Sequence, residues 1–263
     1  MELGGPEVIV SSGFGGRVSG VGDSSPVSPE EPPIPDSRSS TPETRHPKPD
    51  KPWLKDAPPV PTLPGISVDA PAKNLMDIPQ EWNNLDEVAA AIATCRKCFL
   101  CSGRTNTVPG EGTNRSGLMF VGEGPGQVED ETGRPFVGRA GELLNQIIQS
   151  IGLARGDVFI ANAVKCRPPG NRKPLPDEMA ACMPFLERQI ELVRPKVLVA
   201  LGATAAEALL QTRRSLGELR GRVHWYRNIP LVVTYHPAAL LRNPNWKKPT
   251  WDDIRIARQL LDR

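Results

Sequence analysis

Three polar side chains and five cysteines carry the chemistry that this sequence could do. Glu123, Asn162 and His236 lie within or just after short apolar runs, "LMFVG" at 118–122, "VFIANAV" at 158–164 and "LVVTY" at 231–235. A carboxylate at a strand end suits stabilising a positively charged transition state or activating water, as in glycoside hydrolysis. Singly, each has a plainer reading: a glutamate is usually an exposed loop carboxylate, and a histidine at a strand end is more often a hydrogen-bonded structural residue. Polar side chains converging from three loops are harder to explain in that way.

The cysteines constrain the reading independently. Cys95 and Cys98 form a C-x2-C pair, Cys101 follows three residues on, and Cys166 and Cys182 lie further along. In a cytoplasmic chain this pattern points to metal ligation rather than disulfides. The stretches "TCRKCFLC" and "VKCRPPGNRKPLPDEMAAC" share basic flanks, as parts of one site would. Four thiolates suit either a structural zinc or a four-iron cluster, and spacing alone does not choose.

The elements that position these groups alternate. The three apolar runs and "VLVAL" at 197–201 read as four buried strands, separated by helices. After the first strand, Leu143, Leu144, Ile147, Ile148 and Ile151 fall on one helical face that Gly152 terminates. Pro176, Asp177 and Glu178 start another helix, with Met179, Met183, Leu186 and Ile190 as its apolar stripe and Pro184 as a kink. This pattern predicts a parallel sheet covered on both faces, an α/β/α fold with its site at the carboxyl ends of the strands.

The segment "GEGPGQVEDETGRPFVGRAGELLN", 122–145, sits where a dinucleotide-binding glycine loop would. Gly122, Gly124 and Gly126 are present, but Gln127 occupies the place of the third fingerprint glycine and Pro125 removes an amide donor. Glu123, Glu129, Asp130 and Glu131 would repel a pyrophosphate. A nucleotide cofactor is therefore not expected.

Residues 1–80 contain 16 of the 29 prolines, no cysteine and no apolar period, and read as a disordered tail removable with little loss of activity. That part carries a net charge of −4 and the remainder +6, a balance suited to a polyanionic partner. The first residues lack the apolar run of a signal peptide and no later run matches a membrane span, so a cytoplasmic protein is expected.

The motifs "GEGPGQVED", "TGRPFVGRAGELLN", "ANAVKCRPP", "PLPDE" and "HPAALLRNP", in this order and with cysteines at x2 and x15 spacing, resemble the iron–sulfur family 4 uracil-DNA glycosylases. The resemblance covers about residues 84–263 and leaves out the tail and Cys101. It implies a three-layer α/β/α fold around a central four-stranded parallel sheet, and a [4Fe-4S] cluster on Cys95, Cys98, Cys166 and Cys182. It further implies excision of flipped-out uracil from DNA in base excision repair. Glu123 would position water and stabilise the oxocarbenium-like sugar, and His236 would hydrogen-bond uracil O2. Phe136 would stack on the base, Asn162 would read its polar edge, Gly124 and Gly126 would let the backbone close on it, and Glu129 would crowd a thymine methyl.

DNA would be handled by Leu240, Leu241 and Arg242 as a wedge, with Arg167, Arg172, Lys173 and the amides opening the "GATAAE" helix gripping phosphates. Lys165 beside Asn162 raises a Schiff-base lyase, but a strand lysine need not face the pocket, so simple hydrolysis to an abasic site by a monomer, bound to the nucleoid when on DNA, is expected. Three alternatives stand beside this reading. One is a superfamily member that captures the abasic sugar through an inserted histidine, which this chain lacks between Cys166 and Cys182. The others are a non-enzymatic metal-bound DNA-binding module and an iron–sulfur electron carrier.

Overall fold

The computed structural model describes residues 51–69 and 82–263. Its strands are β1 (Pro64–Val68), β2 (Glu111–Gly112), β3 (Leu118–Gly122), β4 (Phe159–Asn162), β5 (Val197–Leu201), β6 (Val223–Tyr226) and β7 (Ile229–Thr234). The helices are α1 (Leu85–Ala93), α2 (Gln127–Thr132), α3 (Arg139–Ser150), α4 (Pro176–Val193), α5 (Ala203–Leu210), α6 (Leu216–Leu219), α7 (Pro237–Arg242) and α8 (Lys247–Leu261).

Strands β7, β5, β3 and β4 lie side by side and parallel, and they are the four expected from the apolar runs. Being buried on both faces, they alternate between two cores rather than between core and water. Met119, Val121, Leu198 and Ala200 meet Leu186 and Ile190 of α4 and Ala205 and Leu209 of α5. Leu118, Phe120, Val197 and Val199 meet Leu144 and Ile148 of α3 and Ile254 and Ala257 of α8. This is the three-layer arrangement. A third core, under α1, joins Val88 and Ile92 to Val164 and Phe185.

The sheet is larger than four strands. Among the described residues its order is β1-β6-β7-β5-β3-β4-β2, with β6 antiparallel to β7 and β2 antiparallel to β4. The three added strands, β1, β6 and β2, are short or partly polar, which hides them from an apolar-run reading. Helix α4 continues through Pro184, where the sequence pattern predicts a kink. No helix among the described residues is long and apolar enough to cross a membrane.

The disordered-tail reading of residues 1–80 is corrected for 51–69. Strand β1 pairs in parallel with β6, and the Ile66 amide donates to His224 Nδ1 at 2.9 Å. Trp53 lies against Gly152 and under the Arg258 guanidinium, and Lys51 pairs with Asp262 at 2.8 Å. The sequence conceals this because the strand opens on a proline, spans only five residues without alternating burial and pairs with a segment some 160 positions away. A chain starting at Trp82 is thus expected to be less stable than one starting at Lys51. The difference is about 3 kcal/mol, since Trp53, Ile66 and Val68 are partly buried and a fully buried apolar side chain contributes roughly 1.5–3. Thermal unfolding of the two truncations checks this, and equal melting temperatures would contradict it.

Candidate active site and cysteine cavity

The parallel strands deliver their carboxyl ends to one edge, and a pocket opens there. Glu123, Gly124, Gly126, Glu129, Phe136, Arg172, His236 and Arg242 all line it. Past the end of β3, the backbone keeps pairing with the chain leaving β4: Ala163 donates to Gly122 O at 2.9 Å and Val164 to Glu123 O at 3.1 Å. Glycine is required at 122 by close approach, because a Cβ there would run into Asn162 Oδ1 and the Phe136 ring.

Glu129 joins two walls of the pocket. One carboxylate oxygen accepts from the Gly126 amide at 3.1 Å, and the other accepts from Val137 and Gly138, each at 2.9 Å. Phe136, between those walls, is buried and held at φ +50°, a left-handed conformation that costs an aromatic residue about 1–2 kcal/mol. Its ring centroid lies 5.5 Å from that of His236.

His236 caps α7 by accepting from the Ala238 amide on Nδ1 at 3.2 Å. The proton of the neutral ring therefore sits on Nε2, which is left as a donor. Burial, reinforced by the Arg242 charge and opposed by Glu129, pushes the ring down to about 4, although part of it still faces the pocket. The histidine is neutral at physiological pH. Because the unfolded chain binds this proton more readily, the contribution to stability is complete above about pH 6.5 and is lost as pH falls toward about 4. Wild type is expected to lose about 2 kcal/mol more than His236→Asn over that window, allowing for water in the pocket. Melting curves at pH 7 and pH 4.5 measure it, and parallel loss in both proteins would contradict it.

Asn162 is buried at the end of β4, beside Gly122 and Phe136 rather than on the pocket wall. Its Oδ1 has no hydrogen-bond partner among the described residues. Lys165 points away from the pocket, with Nζ donating to Asn162 O at 2.8 Å and to Gln189 Oε1 at 2.6 Å. Burial lowers it to about 8, yet it has no route to a sugar in the pocket.

The DNA-handling candidates separate. Leu240 is buried, 1% exposed, and cannot serve as a wedge from that position, whereas Leu241 is 40% exposed and Arg242 is also at the surface. Arg172 is held by the buried Glu178 through two bonds of 2.8 and 2.7 Å, Lys173 pairs with Glu207, and Arg167 donates to Asn171. The expectation that these three side chains grip phosphates does not include such pairings. Sequence reasoning also missed Thr204, whose hydroxyl donates to Glu123 Oε2, and Arg155, which gathers the carbonyls of Pro135 and Phe136. No local pattern links either to its partner.

A second cavity, beneath α1 and α4, is lined by Cys95, Cys98, Cys101, Cys166 and Cys182. Cys101, spare by motif matching, therefore shares this cavity with the other four. All five thiols are free. The Lys165 amide donates to Cys182 Sγ at 3.3 Å and Arg104 Nη1 to Cys166 Sγ at 3.2 Å. Burial pushes the Cys182 thiol up to about 12 and raises Cys166 and Cys98, so a cationic guest is needed to hold these sulfurs as thiolates. Among the described residues no three such side chains close around a single-ion position.

A parallel-stranded α/β/α sandwich with a carboxylate, a neutral histidine and a buried amide at its strand ends defines a class, and the comparisons with known proteins fall within it. The family model described as Uracil DNA glycosylase superfamily matches residues 109–255. The chain is 46% identical over 187 residues to a Type-4 uracil-DNA glycosylase of Sulfurisphaera tokodaii, covering 68% of this chain and 85% of that protein. It is 44% identical over 183 residues to one of Thermotoga maritima, covering 68% of this chain and 95% of the relative. A Type-5 uracil-DNA glycosylase of Thermus thermophilus matches at 36% identity over 151 residues, 49% of this chain and 68% of that protein. The chain belongs to the uracil-DNA glycosylase superfamily and, within it, to the type-4 family.

Proposed function

We propose that this protein excises uracil from DNA by hydrolysing the N-glycosidic bond of a flipped-out nucleotide, leaving an abasic site for base excision repair. The observation that carries the reading is the meeting of Glu123, Phe136 and His236 around one pocket, with the unpartnered Asn162 oxygen buried next to Gly122 and the Phe136 ring. Phe136 stacks on the base, and Asn162 accepts from uracil N3–H and donates to O4. His236 Nε2–H donates to O2, where negative charge collects as uracil departs. A neutral donor performs this without a protonation step, in keeping with the lowered basicity of the ring. Glu123 positions water and stabilises the oxocarbenium-like sugar. Glu129 keeps the walls close enough to crowd a thymine methyl, and Gly124 and Gly126 let the backbone approach.

Leu241 and Arg242 enter the space left by the flipped base, and Arg167, with Arg172 and Lys173 once released from their carboxylates, meets phosphates. The burial of Lys165 supports hydrolysis over a lyase reaction. The enzyme acts as a cytoplasmic monomer on nucleoid DNA, and its glycosylase domain spans 84–263 together with the strap at 51–69.

The cysteine cavity suits a [4Fe-4S] cluster. Cys95, Cys98, Cys166 and Cys182 would hold it, and the N–H donors on two of the sulfurs fit thiolate ligands. When bound, the cluster supplies cross-links between α1, the chain after β4, and α4. The test joins both claims. A uracil-containing single strand and a thymine control are incubated with protein and then cleaved by alkali at abasic sites. Cleavage only at uracil, by brown, iron-containing protein, is expected. Cys166→Ser should bleach and destabilise it, and Cys101→Ser should not. Inactive folded protein would overturn the function, and colourless, zinc-loaded protein of full activity would overturn the cluster.

A further inference from the structure

Helix α5 opens where a phosphate-gripping role is expected from sequence, yet its first polar side chain is already engaged. Gly202, at φ +93° with His236 Cβ packed 3.1 Å from where its own Cβ would be, turns the chain from β5 into α5. Two residues on, Thr204 is buried, 4% exposed, and donates its hydroxyl proton to Glu123 Oε2. We infer that Thr204 is a positioning residue for uracil excision, holding the Glu123 carboxylate in one orientation with Oε1 turned free for water. The inference rests on the role given to Glu123 above.

A glutamate side chain has three rotatable bonds, and fixing them costs up to about 2 kcal/mol in lost freedom. Main-chain pairing already holds Glu123 at its carbonyl, through the Val164 amide, but that leaves the side chain to rotate. The Thr204 hydroxyl is the sole hydrogen-bond partner of the carboxylate among the described residues. Because the hydroxyl donates, Oε2 serves as an acceptor and is committed. Oε1 is then the oxygen left to receive a proton from water as the sugar is attacked. The bond spans two strand ends, since Glu123 follows β3 and Thr204 follows β5. The carboxylate is thereby registered against the sheet rather than against its own loop.

Three substitutions grade the donor. Thr204→Ser keeps the hydroxyl without the methyl, Thr204→Cys puts a weaker thiol donor in the place of that serine hydroxyl, and Thr204→Val keeps the volume without a donor. A hydrogen bond to a charged group is lost in the valine variant, so its single-turnover excision is expected to fall about 10- to 100-fold. KM and binding to abasic DNA should stay within about twofold, since phosphates dominate affinity. Serine should restore excision to within about threefold of wild type, and cysteine should fall between. Melting temperature is measured for each. Valine turning over like wild type, serine failing to rescue, or excision tracking melting temperature instead of donor strength would overturn the inference. Inactive wild-type protein would instead overturn the glycosylase reading.

Discussion

Asn162→Ala is expected to lower uracil excision about 30- to 1000-fold while leaving affinity for DNA close to wild type. The amide can accept from N3–H through Oδ1 and donate to O4 through Nδ2, a pattern that cytosine inverts at both positions. Closing a pocket on a mismatched edge leaves both partners unsatisfied, so in the proposed role the residue would supply selectivity as well as rate. The expected loss corresponds to about 2–4 kcal/mol, the value of a buried two-point contact. The structure sharpens the prediction. A buried oxygen without a partner costs roughly 1–3 kcal/mol, and uracil would remove that cost on binding. Alanine removes it permanently, so the variant should melt no lower than wild type. A residue that merely ties a strand end to its loop would behave oppositely, with a lower melting temperature and normal turnover. Single-turnover excision and thermal unfolding on one sample separate the two, and near-normal turnover would falsify base reading. Asn162→Asp should also lose uracil excision.

The second large effect is expected at Arg155, which does not line the pocket. Its guanidinium donates to Pro135 O, to Phe136 O at 3.1 Å, to Asn145 Oδ1 at 2.8 Å and to Glu111 at 2.7 Å. Arg134 donates to the same carboxylate at 2.8 Å. Burial raises the Glu111 carboxyl, but the bonds from Arg134 and Arg155 prevail and hold it below the usual carboxylate range. Two successive carbonyls flanking a left-handed aromatic are thus fixed by one side chain. Arg155→Met should cost about 3 kcal/mol of stability, since it leaves both carbonyls without this donor and Glu111 with Arg134 as its one remaining guanidinium partner among the described residues. Phe136 is then free to relax toward φ below zero and withdraw its ring, so excision well below the melting temperature should fall at least about tenfold. The Glu111 contribution is present above about pH 4.5 and is lost as pH falls through its lowered value, so wild type should lose more stability than the variant on acidification. Melting at pH 7 and pH 3.5 with excision at pH 7 tests both parts, and a stable, fully active Arg155→Met would contradict them.

What the sequence made legible follows from range. Strands β3, β4, β5 and β7 were readable because a strand buried on both faces is a run of apolar residues. Glu123 and His236 were readable because parallel sheets place their sites at strand ends. Strands β1 and β2 carry too few residues to show a period, and their pairing is a matter of distant contacts. The same holds for Thr204 on Glu123, 81 residues away, and Arg155 on Glu111, 44 away. Adjacent leucines illustrate the limit at its smallest. Leu240 and Leu241 are chemically identical in the sequence, and only the placing of α7 against its neighbours turns one inward and one outward.

The strap and the last helix hold each other on one side of the sheet. Helix α8 runs from beside α7, at the pocket edge of the sheet, to Leu261, whose side chain lies about where a Cβ at Gly117 would meet it, at the entrance to β3. Lys51 is bonded to Asp262, one residue beyond that helix. Lys51 is therefore held near the amino end of β3, whereas the pocket opens at the carboxyl ends of the parallel strands. Strap and last helix are thus latched together away from the pocket, so breaking the Lys51–Asp262 pair is a way to loosen the fold without touching the residues that line the site.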